Sequence, residues 1–256
     1  QSAELNSNKE LKLNLASGAI IHADLQTYSE TKKLNIQSKF DILENGEIGF
    51  KLDKYNTNEK VIIDPLIYST FAGGNDYDYA RSMALCKDGS SIITGNTSSL
   101  NFPIVAGSLD TTYYSNQWGF KDVFVSKFDS SGKRLIFSTY IGGLGDDFGE
   151  SVVIDSNETI YVAGYTISLH GFPTTAGAID SLDQGGYDAF VLKLTPEGDS
   201  LIYSTLIGGK KDDFVQAMAI DSMGCAYITG YTDSAGGYPV SAAAFDTTYH
   251  GKYDVF

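Results

Sequence analysis

Tyr68-Ser-Thr-Phe-Ala-Gly-Gly74, Phe137-Ser-Thr-Tyr-Ile-Gly-Gly143 and Tyr203-Ser-Thr-Leu-Ile-Gly-Gly209 are three copies of one phrase, beginning 69 and then 66 residues apart. A period of this length, carried by chemically similar residues, marks a tandem array and decides the fold before any local propensity is read. The residues after each copy keep the register. Asp78, Asp147 and Asp213 follow the diglycines; Gly95-Asn-Thr97, Gly164-Tyr-Thr166 and Gly230-Tyr-Thr232 come next. Phe102-Pro103, Phe172-Pro173 and Tyr238-Pro239 then precede Asp110, Asp180 and Asp246, and the unit runs on into Asp122-Val-Phe-Val, Asp188-Ala-Phe-Val and Asp254-Val-Phe256. The repeats differ in length only in loops, the largest change being four extra residues between Asp110 and Asp122.

Each unit offers four short apolar stretches separated by turn signals. In the second copy they are Ser151–Asp155, Thr159–Thr166, Asp188–Leu194 and Leu201–Ile207, with Asp155-Ser-Asn-Glu158 and Pro196-Glu-Gly198 between them. No stretch carries a helical apolar period of useful length. Four strands per repeat, stacked radially, predict an all-β chain built as a β-propeller of four-stranded blades. A four-stranded sheet cannot cover both of its faces, so each blade depends on its neighbours. The first stretch is expected innermost and the Tyr-Ser-Thr stretch outermost, with the diglycine crossing to the next blade; glycine suits a crossing because it accepts positive φ and close backbone approach. Blades fall at about 66–141, 142–207 and 208–256. Leu66–Phe71 then arrives before its own inner strands and is expected to complete the last blade of the ring. The sequence stops at Asp254-Val-Phe256, inside the third strand of its blade, so the expectation is about three blades, the last incomplete, with the remaining blades on a longer chain.

Residues 1–65 read differently. Residues 1–9 are polar and are expected to form a mobile end. Leu11, Leu13 and Leu15 then alternate with polar residues, Ala19 to Leu25 makes a second candidate strand, and Leu34 to Ile42 a third. Asn45-Gly46 signals a hairpin to Ile48, Phe50 and Leu52. Val61 and Ile63 close the region before Asp64-Pro65. The expectation is a small antiparallel β module.

Of the 256 residues 42% are apolar, with 27 glycines and 17 tyrosines, a composition of strands and turns. The net charge is −14, and residues 67–256 carry 22 acidic against 10 basic side chains. That field opposes nucleic-acid phosphate and anionic membrane surfaces, so neither is an expected partner. No apolar run is long enough to predict a transmembrane helix. Cys86 and Cys225 sit at non-equivalent places in different repeats and are not expected to pair.

Asp146-Asp147, Asp212-Asp213 and Asp78 could together supply oxygen ligands to Ca²⁺, which takes six to eight of them. Yet no Asp-x-Asp-x-Asp-Gly loop occurs, and aspartates at strand starts more often accept hydrogen bonds from turn amides. Asp122, Asp188 and Asp254 read as turn formers for the same reason. Two carboxylates can also cleave a glycoside, but a catalytic pair is unique in its chain while these acids recur in every repeat. No catalytic residue is therefore assigned. His22, His170 and His250 have no equivalents and no metal-ligand spacing. The recurring Tyr68, Phe137 and Tyr203, and the aromatic–proline pairs, fit packing between blades. Trp118, with Tyr113, Tyr114 and Phe120, lies in the long 110–122 segment where packing does not demand aromatics, and is the candidate contact site.

The run Tyr-Ser-Thr-x-x-Gly-Gly, Asp-Phe, Val-Val-Ile-Asp-Ser, Ile-Tyr-Val-Ala-Gly-Tyr-Thr, Phe-Pro and Asp-Ala-Phe-Val resembles the bacterial SBBP-type β-propeller repeats over residues 66–256. The preceding stretch, ending Val61-Ile-Ile-Asp-Pro-Leu-Ile-Tyr-Ser-Thr70, is similar to the β-rich domain that often comes before such propellers. The resemblance implies a large secreted or surface-anchored protein with adhesion-type modules, of the kind exported by type IX secretion in Bacteroidetes-like organisms. It carries no catalytic residues. The function expected is a non-enzymatic adhesion or protein-interaction scaffold with a protein or glycan partner at the cell surface. The alternative is a carbohydrate-active propeller enzyme whose catalytic residues lie partly elsewhere.

Overall fold

The computed structural model describes residues 69–256 except 115–118, 169 and 183, together with Lys54 and the backbone of the strands up to Pro65. Among the described residues every regular element is a strand, and no helix is long and apolar enough to cross a membrane. The chain divides into two compact units. One comprises residues 1–70 with 87–89 and 130–132; the other is the rest.

Among the described residues the first unit holds seven short strands: β1 (Ser2–Leu5), β2 (Leu11–Leu15), β3 (Gly18–His22), β4 (Leu25–Ser29), β5 (Ser38–Ile42), β6 (Ile48–Leu52) and β7 (Val61–Pro65). They pair antiparallel, not as one sheet but as β1-β2-β3, β4-β7 and β5-β6. Within the polar end at 1–9 lies a strand: Ser2 pairs with Asn14 and Leu5 with Leu11. The alternation of Ala3 and Leu5 with Ser2 and Glu4 is present in the sequence, but four residues are too few to announce a strand. The stretch Ala19 to Leu25 splits between β3 and β4. β5 and β6 pair from Ile42 opposite Ile48, while Asn45-Gly46 lies outside the described residues.

The second unit contains the repeats. The first sheet is β8 (Asp78–Leu85), β9 (Ser91–Thr97), β10 (Asp122–Phe128) and β11 (Leu135–Ile141). The second is β12 (Asp147–Ile154), β13 (Ile160–Thr166), β14 (Asp188–Leu194) and β15 (Leu201–Ile207). β16 (Asp213–Ile220), β17 (Ala226–Thr232) and β18 (Asp254–Val255) make the third. Each is an antiparallel meander whose order in space is its order in sequence. β12 packs against β8 and β9 on one side and against β16 on the other, so the first strands of successive sheets converge. That convergence makes the sheets propeller blades.

Apolar cores lie between the blades. Ile92, Val123 and Val125 of the first blade pack with Val152, Val162 and Leu192 of the second. Tyr161, Ala163 and Val191 of the second meet Val215 and Met218 of the third. Each such side chain taken from water stabilises by about 1.5–3 kcal/mol. The middle blade is accordingly buried on both faces, Tyr161, Phe190 and Leu192 among its fully enclosed side chains. The outer faces of the flanking blades leave Met83, Leu85 and Tyr227 exposed.

The first strand of the second blade begins at Asp147, four residues earlier than the apolar pattern indicates. The reason is a β-bulge: Glu150 is an extra residue between Gly149 and Ser151. Arg81 and Gln216 are the extra residues at the same place in the other blades. A bulge shifts the alternation by one and hides the start of the strand.

Ser69–Phe71 belongs to no strand, and residues 66–68 lie outside the described set. The first blade is complete without this segment, its fourth strand being β11.

Candidate functional site

The recurring aspartates sit in a repeated hydrogen-bonded cassette. Asp147 Oδ2 accepts from the Gly143 amide at 2.8 Å and from Ser168 Oγ at 2.9 Å, while Thr166 Oγ1 donates to Oδ1. Asp213 Oδ2 accepts from the Gly209 amide at 2.7 Å and from Ser234 Oγ at 3.0 Å. Asp78 Oδ2 accepts from the Gly74 amide at 2.7 Å and from Ser99 Oγ at 3.1 Å, with Thr97 donating to Oδ1. The threonine in turn accepts from the serine amide at 2.9 Å in every blade. Each aspartate thus fastens the crossing from one blade to the end of the second strand in the next.

The cassette also explains the diglycine, and differently from the positive φ expected of it. None of these glycines has a positive φ. A Cβ on Gly142 would stand 2.6 Å from Asp147 Oδ2 and 2.9 Å from the Asp122 carboxyl carbon, and one on Gly208 only 2.1 Å from Asp188 Oδ1. The glycines make room for buried carboxylates. Burial pushes Asp147 up to about 8, against the pull of its hydroxyl and amide donors, and raises Asp213 for the same reason.

Asp146 and Asp212 perform a second task, across the blade boundary. Asp146 Oδ1 accepts from the Lys121 amide at 2.9 Å, and Asp212 Oδ1 from the Tyr187 amide at 3.0 Å. Beside them the Asp147 and Asp213 amides donate to the Lys121 and Tyr187 carbonyls at 2.7 and 2.6 Å. The second and third blades are therefore each tied to the start of the third strand in the blade before. The five aspartates read as possible Ca²⁺ ligands face N–H and O–H donors, whereas a Ca²⁺ cage needs converging oxygen lone pairs. Asp122, Asp188 and Asp254 each accept from a backbone amide of the preceding loop, those of Tyr114, Gln184 and His250.

Of the four residues of the aromatic contact site, Tyr113 is buried and Tyr114 exposed. Tyr113 is 7% exposed, its hydroxyl donating to the Phe120 carbonyl and its ring against Tyr140 at 5.5 Å. It belongs to a small core with Phe102, Phe124 and Tyr140. Tyr114 is exposed, Phe120 half-buried, and Trp118 lies outside the described residues. A sequence signal for the burial existed: Asp110-Thr-Thr-Tyr113 recurs as Asp246-Thr-Thr-Tyr249, whose hydroxyl likewise donates to a nearby carbonyl, that of Lys252. The aromatic–proline residues stack within their own blades, Phe102 on Phe124 at 4.5 Å and Phe172 on Phe190 at 4.8 Å. Phe137, by contrast, lies beneath Gly198 of the next blade. His170 and His250 are exposed, the latter between Asp246 and Asp254. Cys86 and Cys225 are free thiols.

What the sequence reading missed is an aromatic belt along one end of the blades. Phe148 stacks on Tyr165 at 4.8 Å; Tyr165 meets Tyr187 at 5.5 Å and Phe214 at 4.8 Å; Phe214 meets Tyr231 at 5.0 Å, and Tyr231 meets Tyr253 at 5.2 Å. Tyr79 holds the place of Phe148 in the first blade, and Lys121 that of Tyr187 and Tyr253. Lys121 Nζ rests 5.2 Å from the centre of the Phe148 ring and 3.9 Å from Asp146. Arg81 pairs with Glu150 at 3.7 Å through the bulge residues of two blades. Burial raises Glu150 against the opposing Arg81 charge.

Residues 136–172 and 202–238 match the family model described as a β-propeller repeat, SBBP. The chain carries SBBP β-propeller repeats. Each matched segment starts in the outer strand of one blade and ends at the aromatic–proline loop of the next, so the family's unit straddles the crossing that the aspartate cassette fastens. Residues 1–66 match a domain of unknown function, DUF7948. No curated protein matches the chain. SBBP repeats form a scaffold-type fold suited to protein interaction.

Proposed function

We propose that this SBBP-repeat protein is a non-enzymatic scaffold for adhesion or protein interaction, working outside the cell or at its surface. The observation that supports this reading is the assignment of the recurrent carboxylates. In each blade they serve the same turn amides and hydroxyls, so the acids concentrated in the repeats build a rigid ring segment, and its surface is left to recognise a partner. Rigid elements with repeated, outward-facing positions suit recognition by a protein. Ca²⁺ has no structural part in this reading, and a chelator should leave the melting temperature of the chain unchanged; a drop restored by added Ca²⁺ would contradict it.

The location is tested on intact cells that produce the protein. Protease added from outside should remove it while a cytoplasmic marker survives. Protection of the protein until the cells are lysed would overturn the proposal.

A further inference from the structure

We propose that the aromatic belt binds lysine- and arginine-bearing segments of a partner protein, which names a partner chemistry for the scaffold read above and rests on that reading. The belt combines two features that attract the same ligand. Six rings from the second and third blades, Phe148, Tyr165, Tyr187, Phe214, Tyr231 and Tyr253, follow one another at 4.8–5.5 Å. Ring faces carry negative potential and attract cations. Among them stand the carboxylates of Asp146, Asp212 and Glu150, in a repeat region with 22 acidic and 10 basic side chains.

The chain supplies its own demonstration. Lys121 takes the place that Tyr187 and Tyr253 take in the other blades, and its ammonium lies over Phe148 beside the Asp146 carboxylate. Arg81 reaches Glu150 across the first blade boundary. Tyr165 shares that surroundings: its hydroxyl hydrogen-bonds Glu150, and burial together with the Glu150 charge keeps the phenol neutral far into the alkaline range. Two cations of the protein are thus already seated on the first third of the belt, each against a carboxylate. Beyond Tyr165 no lysine or arginine occupies the equivalent positions, which are Gln216 for Arg81 and Glu150, and Tyr253 for Lys121. Tyr253 is 55% exposed. A partner side chain bearing a guanidinium or ammonium would repeat along the second and third blades what Lys121 does on the first.

The test uses the whole chain and a fluorescently labelled peptide of alternating arginine and glycine, with a glutamine–glycine peptide as control, read by anisotropy. The arginine peptide should bind saturably and the control should not. Binding should weaken as salt is raised from about 0.05 to about 0.5 M, since exposed charges are screened. Tyr253→Ala and Tyr231→Ala should each weaken it, by about two- to five-fold for the loss of one ring, and Asp199→Asn, a surface acid of the turn before β15, should not. Equal loss in the Asp199 variant would mean diffuse attraction to an acidic surface and overturn the proposal. Absence of saturable binding would also overturn it, as would binding of a neutral oligosaccharide in its place, lost in the same belt variants. Circular dichroism melts confirm that each variant is folded. Failure of the peptide to bind leaves the external location untouched, because protease access to intact cells reads that separately.

Discussion

Asp147 shows how a side chain can be both expensive to bury and necessary to the fold. It is fully enclosed, takes hydrogen bonds from Gly143, Thr166 and Ser168, and has its pKa raised to about 8 by burial. The unfolded chain returns it to about 4. The folded state therefore holds the proton more tightly, so the contribution of this group is full below about pH 4 and is lost as pH rises through about 8. The melting temperature of the native chain relative to Asp147→Asn should fall between pH 5 and pH 9, and parallel pH profiles would contradict the assignment. Gly164 makes a second residue-scale case. A Cβ there would lie 1.8 Å from the Phe148 carbonyl oxygen, opposite the bulge, and Gly95 and Gly230 meet the Tyr79 and Phe214 carbonyls at the same distance. Gly164→Ala should destabilise by about 1–3 kcal/mol or more, as forced overpacking against backbone does, measurable by urea unfolding. The position was legible in sequence as a recurring glycine. Its reason was not, because Arg81, Glu150 and Gln216 share no chemistry that would announce a bulge.

At the scale of the element, the recurring threonine of the outer strand acquires a purpose. β15 is the edge of its blade, and a bare edge invites pairing with another chain. Here the loop after Phe172-Pro173 covers it. Thr205 Oγ1 accepts from the Ile179 amide at 2.8 Å, the Leu206 amide donates to the Asp180 carbonyl at 3.0 Å, and Thr175 exchanges bonds with Ser204. In the first blade Thr139 and Asp110 repeat the contact. Thr205→Val preserves shape and removes the hydroxyl, so it should cost about 1–3 kcal/mol through the orphaned amide and speed hydrogen exchange at 175–180. Unchanged exchange there would show that the loop is held by other means. The phrase Tyr-Ser-Thr-x-x-Gly-Gly told the repeat, the strand and the crossing. It did not tell the edge cover, because the groups that Thr139 and Thr205 engage are backbone amides and carbonyls with no signature in sequence. The burial of Tyr113 was hard to read for a related reason: the Asp-Thr-Thr-Tyr that it shares with the third blade sits in a longer loop.

Across the repeat unit as a whole, the two larger apolar cores lie between blades. The cores joining Val123 and Val125 to Val152, and Val191 to Val215, are formed by residues far apart in sequence. The polar ties run the same way, from Asp146 to Lys121 and from Asp212 to Tyr187. Radial packing was readable from the period alone, since an isolated four-stranded sheet has no means of covering its faces. The backbone ties were not readable, although the acidic pairs that make them stood out as pairs. They also supply the most direct test. Couplings transmitted through hydrogen bonds, measured by NMR on the labelled chain, should connect the Asp147 amide to the Lys121 carbonyl and the Asp213 amide to the Tyr187 carbonyl, with slow exchange at both amides. Those four groups coupled in pairs is the result that side-by-side blades predict; rapid exchange at both amides, or coupling to partners within their own repeats, would contradict the arrangement.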